Sequence, residues 1–179
     1  MSEEKKERWL NYLALTTVIL AVCATLSSFR GSSYSTRAVM SQTQAASQWS
    51  YFQSKSIKGY LYELSKAELE AEIEANASLW PERSLAIYRK LAAGYAQEIE
   101  RYAGEKVLIQ EQARLLEVRR DHAQAHSKTF GLAVIFLQIA ILMSSVSALL
   151  RRKQMWILSL LLGSAGIVYF VLGLLPSSS

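Results

Sequence analysis

With one cysteine, Cys23, the chain can form neither an internal disulfide nor a thiolate metal site, so no stapled or zinc-built domain is expected. Prolines number two, and only Pro81 falls between Ser35 and Ser127; three isolated glycines, Gly59, Gly94 and Gly104, share that stretch. No serine–histidine–acid set, nucleotide-binding loop or haem-attachment motif occurs, which argues against an enzyme and against a cofactor. Charge is missing from three long runs, so proton- or ion-coupled transport through carboxylates or cations buried in one chain is also not expected.

Those uncharged runs are the strongest positive signal. About half the 179 residues are apolar, and they are segregated along the chain rather than spread through it. Trp9 to Phe29, Phe130 to Leu150 and Met155 to Leu175 each contain about twenty residues, enough for a helix to cover roughly 30 Å of hydrocarbon. Trp9 and Tyr12 stand where interfacial aromatics belong, and Arg30 closes the far end. A cleavable signal peptide is the rival for the first run, with Val22-Cys23-Ala24 as a small-residue site. An uncleaved anchor is the expectation here. Leu20-Ala21-Val22-Cys23 fails as a lipoprotein site, because Val stands where a small residue is needed.

Arg151-Arg152-Lys153-Gln154 is the whole connection between the second and third runs, which makes them an antiparallel pair. Three cations in so short a loop resist translocation. The segments therefore read as a cytoplasmic N-terminus (1–8), span one (9–29), an extramembrane part (30–129), span two (130–150), a cytoplasmic basic hinge (151–154), span three (155–175) and a tail (176–179). Arg151, Arg152 and Lys153 carry this orientation, while Arg114, Arg119, Arg120 and Lys128 beside the second span argue against it. The net charge of +5 thus reflects topology more than affinity for nucleic acid.

The extramembrane part is rich in Ala, Leu, Glu, Gln, Lys and Arg, all strong helix formers. Pro81 after Asn76-Ala77-Ser78-Leu79-Trp80 predicts a turn near 76–82 with proline at the first position of a new helix. In the second arm, Leu85, Tyr88, Ala92, Tyr95, Ile99, Tyr102, Lys106, Ile109, Ala113, Leu116, Arg120 and Ala123 step by three and four, a coiled-coil seam. The first arm offers Ala45, Trp49, Phe52, Ile57, Tyr60, Leu64, Ala67 and Ala71, with a skip near Ser56. The expected fold is all-α: three transmembrane helices, with a long antiparallel hairpin forming a coiled-coil stalk between the first two. Gly31 and Gly131 are possible breaks where the arms meet the spans. Tyr51, Tyr62, Leu69, Ile73, Leu108 and Leu115 lie off the simplest stripe, and copies of the same chain are the simplest partners for them.

Four places carry candidate chemistry. His122 and His126, one turn apart, would suit a metal or a pH switch but are an incomplete ligand set. Glu68, Glu70, Glu72 and Glu74 spread around a helix, and an acidic tip facing Arg83, Arg89 or Lys90 is expected. Gln138 is a polar side chain near the middle of the second span, able to line a pore or to bond a neighbouring helix. Ala140, Ser144 and Ala148, and Ser159 with Gly163, allow close helix approach; Gly163-Ser164-Ala165-Gly166 is packing rather than a phosphate loop.

Ser47 to Leu64 reads SQWSYFQSKSIKGYLYEL. Its Trp49, Tyr51, Phe52, Gln53, Ser54, Lys55 and Ser56 resemble the motif that opens the soluble helix in the membrane-protein family catalogued as domain of unknown function 4337. The order of spans and helical middle is similar as well. The resemblance implies a bacterial inner-membrane protein and brings no activity. Trp49 and Phe52 fit the seam, whereas Gln53, Lys55 and Lys58 would face elsewhere as a recognition surface. The expected role is a homo-oligomeric scaffold or interaction protein in a lipid bilayer, with no nucleic acid or identifiable small-molecule substrate. A channel or sensor subunit with a polar lumen is the alternative.

Overall fold

The computed structural model describes the backbone of residues 2–175 and the side chains from residue 9 onward. The expected tail at 176–179 lies outside the described residues, as do the side chains of the N-terminal segment. Regular structure among the described residues consists of α1 (Ser2–Asn76), α2 (Glu82–Leu150) and α3 (Lys153–Leu174), with no strand. Each contains a stretch long and apolar enough to cross a membrane.

The breaks expected at Gly31 and Gly131 do not occur; α1 and α2 run through both positions. An isolated glycine costs a helix only about 1 kcal/mol relative to alanine, too little to interrupt one flanked by good helix formers. At Gly31 the missing side chain also has a use. A Cβ there would lie 3.2 Å from that of Phe130, and the Gly31 carbonyl accepts the Ser127 hydroxyl at 3.1 Å.

Between α1 and α2 the chain reverses at 77–81. The Asn76 carbonyl accepts the Leu79 and Trp80 amides at 2.9 and 3.0 Å. Pro81 stands one residue earlier than expected, at the cap. Its carbonyl takes the first amides of α2, from Ser84 and Leu85, and the N–H that it lacks would have had no helical partner. The basic hinge is shorter than expected: only Arg151 and Arg152 lie outside helices, and Lys153 opens α3. So tight a link requires Arg151 to be left-handed, at φ 52°, which costs an L-residue about 1 kcal/mol. The Ser147 hydroxyl steadies the link by donating to the Arg152 carbonyl.

The chain divides into two compact units, residues 1–40 with 119–179, and residues 41–118. In the first unit Leu20, Ala24, Leu137 and Ala140 form the centre, with Cys23, Ile141 and Leu162 against them. The face that α3 buries is made of Ser159, Gly163, Gly166 and Gly173. Into these gaps fit Leu20, Leu137 and Phe130; a Cβ on Gly166 would lie 2.7 Å from Leu137 Cγ. For helices in lipid this fit is decisive, because lipid tails are as apolar as leucine and exclusion from water gives little attraction between spans. Of the small residues singled out, Ala140 and Ser144 are buried, while Ser147 rather than Ala148 takes the next inward place. The hydroxyls of Thr17 and Ser144 bond across α1 and α2, and Trp9 packs on Trp156.

In the second unit the two arms run antiparallel: Trp49 meets Glu117, Lys55 meets Glu105, and Tyr62 meets Tyr102 and Tyr95. Every position of the seam expected on α2, from Leu85 to Ala123, is buried or half-buried. On α1 the expectation fails beyond Phe52. Ile57, Tyr60 and Leu64 are exposed, as are Ala67 and Ala71, and the inward positions are Ser56, Gly59, Tyr62, Lys66, Leu69 and Ile73. No skip occurs near Ser56. Stepping by apolarity jumped to the outer face there, because the true seam passes through a serine, a glycine and a lysine stem.

Candidate functional site

The Trp49 motif mostly faces inward. Trp49 Nε1 donates to Glu117 Oε1 at 2.9 Å, and its ring meets Phe52 edge-on. Lys55 also turns toward α2, contrary to the outward expectation. Its Nζ lies 2.6 Å from Glu105 Oε2, and 5.2 Å from the ring centres of both Tyr51 and Tyr102. The ammonium is thereby the partner of a carboxylate oxygen that is cut off from water. A hydrogen bond from Lys55 holds the Glu105 carboxyl below its ordinary range. Reciprocally, Glu105 and then the Tyr51 hydroxyl hold the Lys55 ammonium above its own. Lysine was expected outside because its charge dominates its type; its four-carbon stem packs as an apolar group. Gln53 and Lys58 do face outward. Lys58 borders a hollow lined by Leu61, Tyr62, Ser65, Tyr95 and Tyr102.

The two histidines part company. His122 is exposed. His126 stacks on Tyr34 at 4.8 Å, and its Nδ1 lies 3.1 Å from the carbonyl of Gly173 near the end of α3. No group of three or more metal-ligating side chains forms among the described residues. At the tip, the acidic run does not engage the cations expected to face it. Glu70 pairs with Lys66 on its own helix, and Arg89 reaches Glu82.

Gln138 points away from the three-helix interior, into a surface groove with Ala21, Ala24, Thr25, Ser28, Phe29, Ser32 and Ile141. Among the described residues, the buried polar side chains in that unit are Ser27, Ser144, Ser147 and Ser159 instead, each bonded by its hydroxyl. Ser144 and Ser159 are among the small residues expected at close helix approaches, whereas the sequence does not single out Ser27 or Ser147, because a serine hydroxyl that can bond nearby backbone suits either face.

What remains unpartnered is the outer face of the second unit. On α1, Ile57, Leu61 and Leu64 are each more than half exposed, and Glu68, Ala71 and Ala75 continue the same three-and-four spacing. On α2 an equally regular outer row begins Arg83, Ile87, Lys90, Gly94, Gln97, and continues through Arg101 and Gly104 to Leu108. Each arm thus carries two heptad rows, one turned to its neighbour and one turned out.

No curated protein and no solved structure matches the chain. One family model does, over residues 9–176, nearly the full length of the sequence. The chain belongs to the family described as a domain of unknown function, DUF4337.

Proposed function

We propose that this protein is a membrane-anchored scaffold that assembles with copies of itself through the paired helices of residues 41–118. The observation that carries the reading is the outer heptad row on α1, where Ile57, Leu61 and Leu64 present apolar surface at helix-pairing intervals, beyond the uncharged run of residues 9–29. Scattered exposed apolar residues need no partner, whereas neighbouring ones at these intervals form a stripe that suits another helix. In this reading the paired arms are a coiled-coil stalk between the first and second of three membrane spans. The bilayer is a bacterial inner membrane, the basic link Arg151–Lys153 faces the cytoplasm, and the stalk stands on the periplasmic side. Light scattering of the detergent-solubilised protein tests the assembly: a mass above one chain is expected, and a strict monomer at all concentrations refutes it. Labelling of single cysteines at Asn76 and Gln154 in intact cells tests the orientation, with only the first expected to react.

A channel or sensor subunit is the second reading, favoured by the outward placement of Gln138 beside Thr25, Ser28 and Ser32. A polar lumen would then form between copies rather than within one chain. Flux of ions or small solutes through reconstituted liposomes supports it, and impermeable liposomes count against it.

A further inference from the structure

We infer that the copies pair head to tail, the outer row of α1 in one chain docking on the outer row of α2 in the next. This deepens the assembly reading and rests on it.

Charge selects the partner face. From Leu61 to Asn76, α1 carries five glutamates and one lysine. From Arg83 to Gln97, α2 carries Arg83, Arg89 and Lys90 and no carboxylate. Among the described residues, Glu68, Glu72, Arg83 and Lys90 have no ion-pair partner within the chain, and all four are exposed. Copies in one bilayer share one direction, so pairing α1 with α1 through its outer row would set Glu68 and Glu72 against their own counterparts at the same height. Pairing α1 with α2 of the neighbour sets glutamates against cations.

Shape selects it too. Gly94 and Gly104 lie in the interior of α2 on its outer row, where a side chain would meet open space in its own chain. Glycine is the weakest helix former after proline, and nothing within the chain requires either one. A helix packed closely on that row does require them, since small residues let a neighbour's bulky side chains approach the backbone. The height follows from the chain's own pairing, in which Gly59 lies beside Tyr102 and Lys55 beside Glu105. A rotation about an axis normal to the membrane keeps every copy level. Leu64 of one chain then meets Gln97 of the next, Ile57 meets Gly104, and Ala71 meets Lys90. The contact is heterologous, so it closes into a ring or continues as a row.

The test uses the full chain with Cys23→Ala, which removes the native thiol, and two differently tagged forms carrying Leu64→Cys or Gln97→Cys. Co-expressed and oxidised in detergent, they are expected to yield a disulfide joining the two tags, while the Leu64→Cys form alone yields none. Preferential self-linking of Leu64→Cys overturns the head-to-tail arrangement in favour of a symmetric one. Absence of any link in a protein that light scattering finds oligomeric overturns the assigned faces but leaves the assembly reading standing; a monomer ends both. Gly104→Leu, for which the chain's own structure has room, is expected to dissociate the oligomer without changing helix content. An unchanged oligomer also overturns the arrangement.

Discussion

Lys55 and Glu105 form an ion pair between α1 and α2, with the ammonium held between the rings of Tyr51 and Tyr102. The pair sets the register of the arms: one step along either helix would remove the lysine from the Tyr102 ring and the carboxylate from its cation. Its pH dependence follows from opposite shifts. The Glu105 carboxyl is held below 4.5, so its contribution to stability is present above that value and lost as pH falls through the lower folded value. The Lys55 ammonium is held above 10.5, so its contribution is complete below that value and lost as pH rises through the higher folded one.

Melting of the helices in detergent, followed by circular dichroism, is therefore expected to be flat between about pH 5 and 10 as far as this pair decides it. Lys55→Met alone, which leaves a secluded carboxylate oxygen unpaired, is expected to lower the midpoint more than Lys55→Met with Glu105→Met. Equal losses in the single and double variants would show that the pair is an exposed contact of little consequence.

Trp49 offers an independent check on the same interface. Replacing it by Phe keeps the ring against Phe52 and removes the donor to Glu117. A hydrogen bond to a charged group contributes about 1.5–3 kcal/mol when well formed, and this half-buried one is expected near the lower figure. Denaturant unfolding of the Trp49→Phe protein in detergent measures it, and no loss of stability would place the indole N–H in water.

The glycines of the membrane-suited unit predict opposite signs at two sites. Gly166→Ala forces a Cβ against Leu137, with its backbone nitrogen only 3.1 Å away, and overpacking of this kind costs about 1–3 kcal/mol. Gly131→Ala meets open space and should be neutral or stabilising by up to about 1 kcal/mol. Reversible unfolding in mixed micelles compares the two, and a Gly166→Ala protein as stable as the parent would mean that α3 is docked elsewhere.

His126 ties α2 to α1 through Tyr34 and to the end of α3 through the Gly173 carbonyl. His126→Phe preserves a ring for stacking and removes the polar contact, so a loss of about 1 kcal/mol is expected. Hydrogen exchange should quicken at the C-terminal end of α3 more than at its start. Uniform exchange along α3 would separate His126 from the docking of that helix.

The difference between legible and hidden features is clearest in the two arms. On α2 the inward row contains Leu85, Ala92, Tyr102, Ile109 and Ala113, so apolarity alone traces it. On α1 the inward row passes through Ser56, Gly59 and Lys66, whereas the outer row holds Ile57, Leu61 and Leu64. A heptad search favours the more apolar row, which here is the one facing outward. The same rule set Lys55 outside.

Composition and spacing alone therefore determined the helical class, the three stretches suited to lipid, the reversal before Pro81 and the inward row of α2. Each of these depends on properties a segment has by itself: helix propensity, length, and uninterrupted apolarity. Tertiary structure decided which row of α1 faces its partner, that Lys55 closes on Glu105, and that Gly163 and Gly166 receive Leu20 and Leu137. Those outcomes depend on what fills the space opposite, and a serine, a glycine or a lysine stem becomes interior only when another helix supplies the complementary shape and charge.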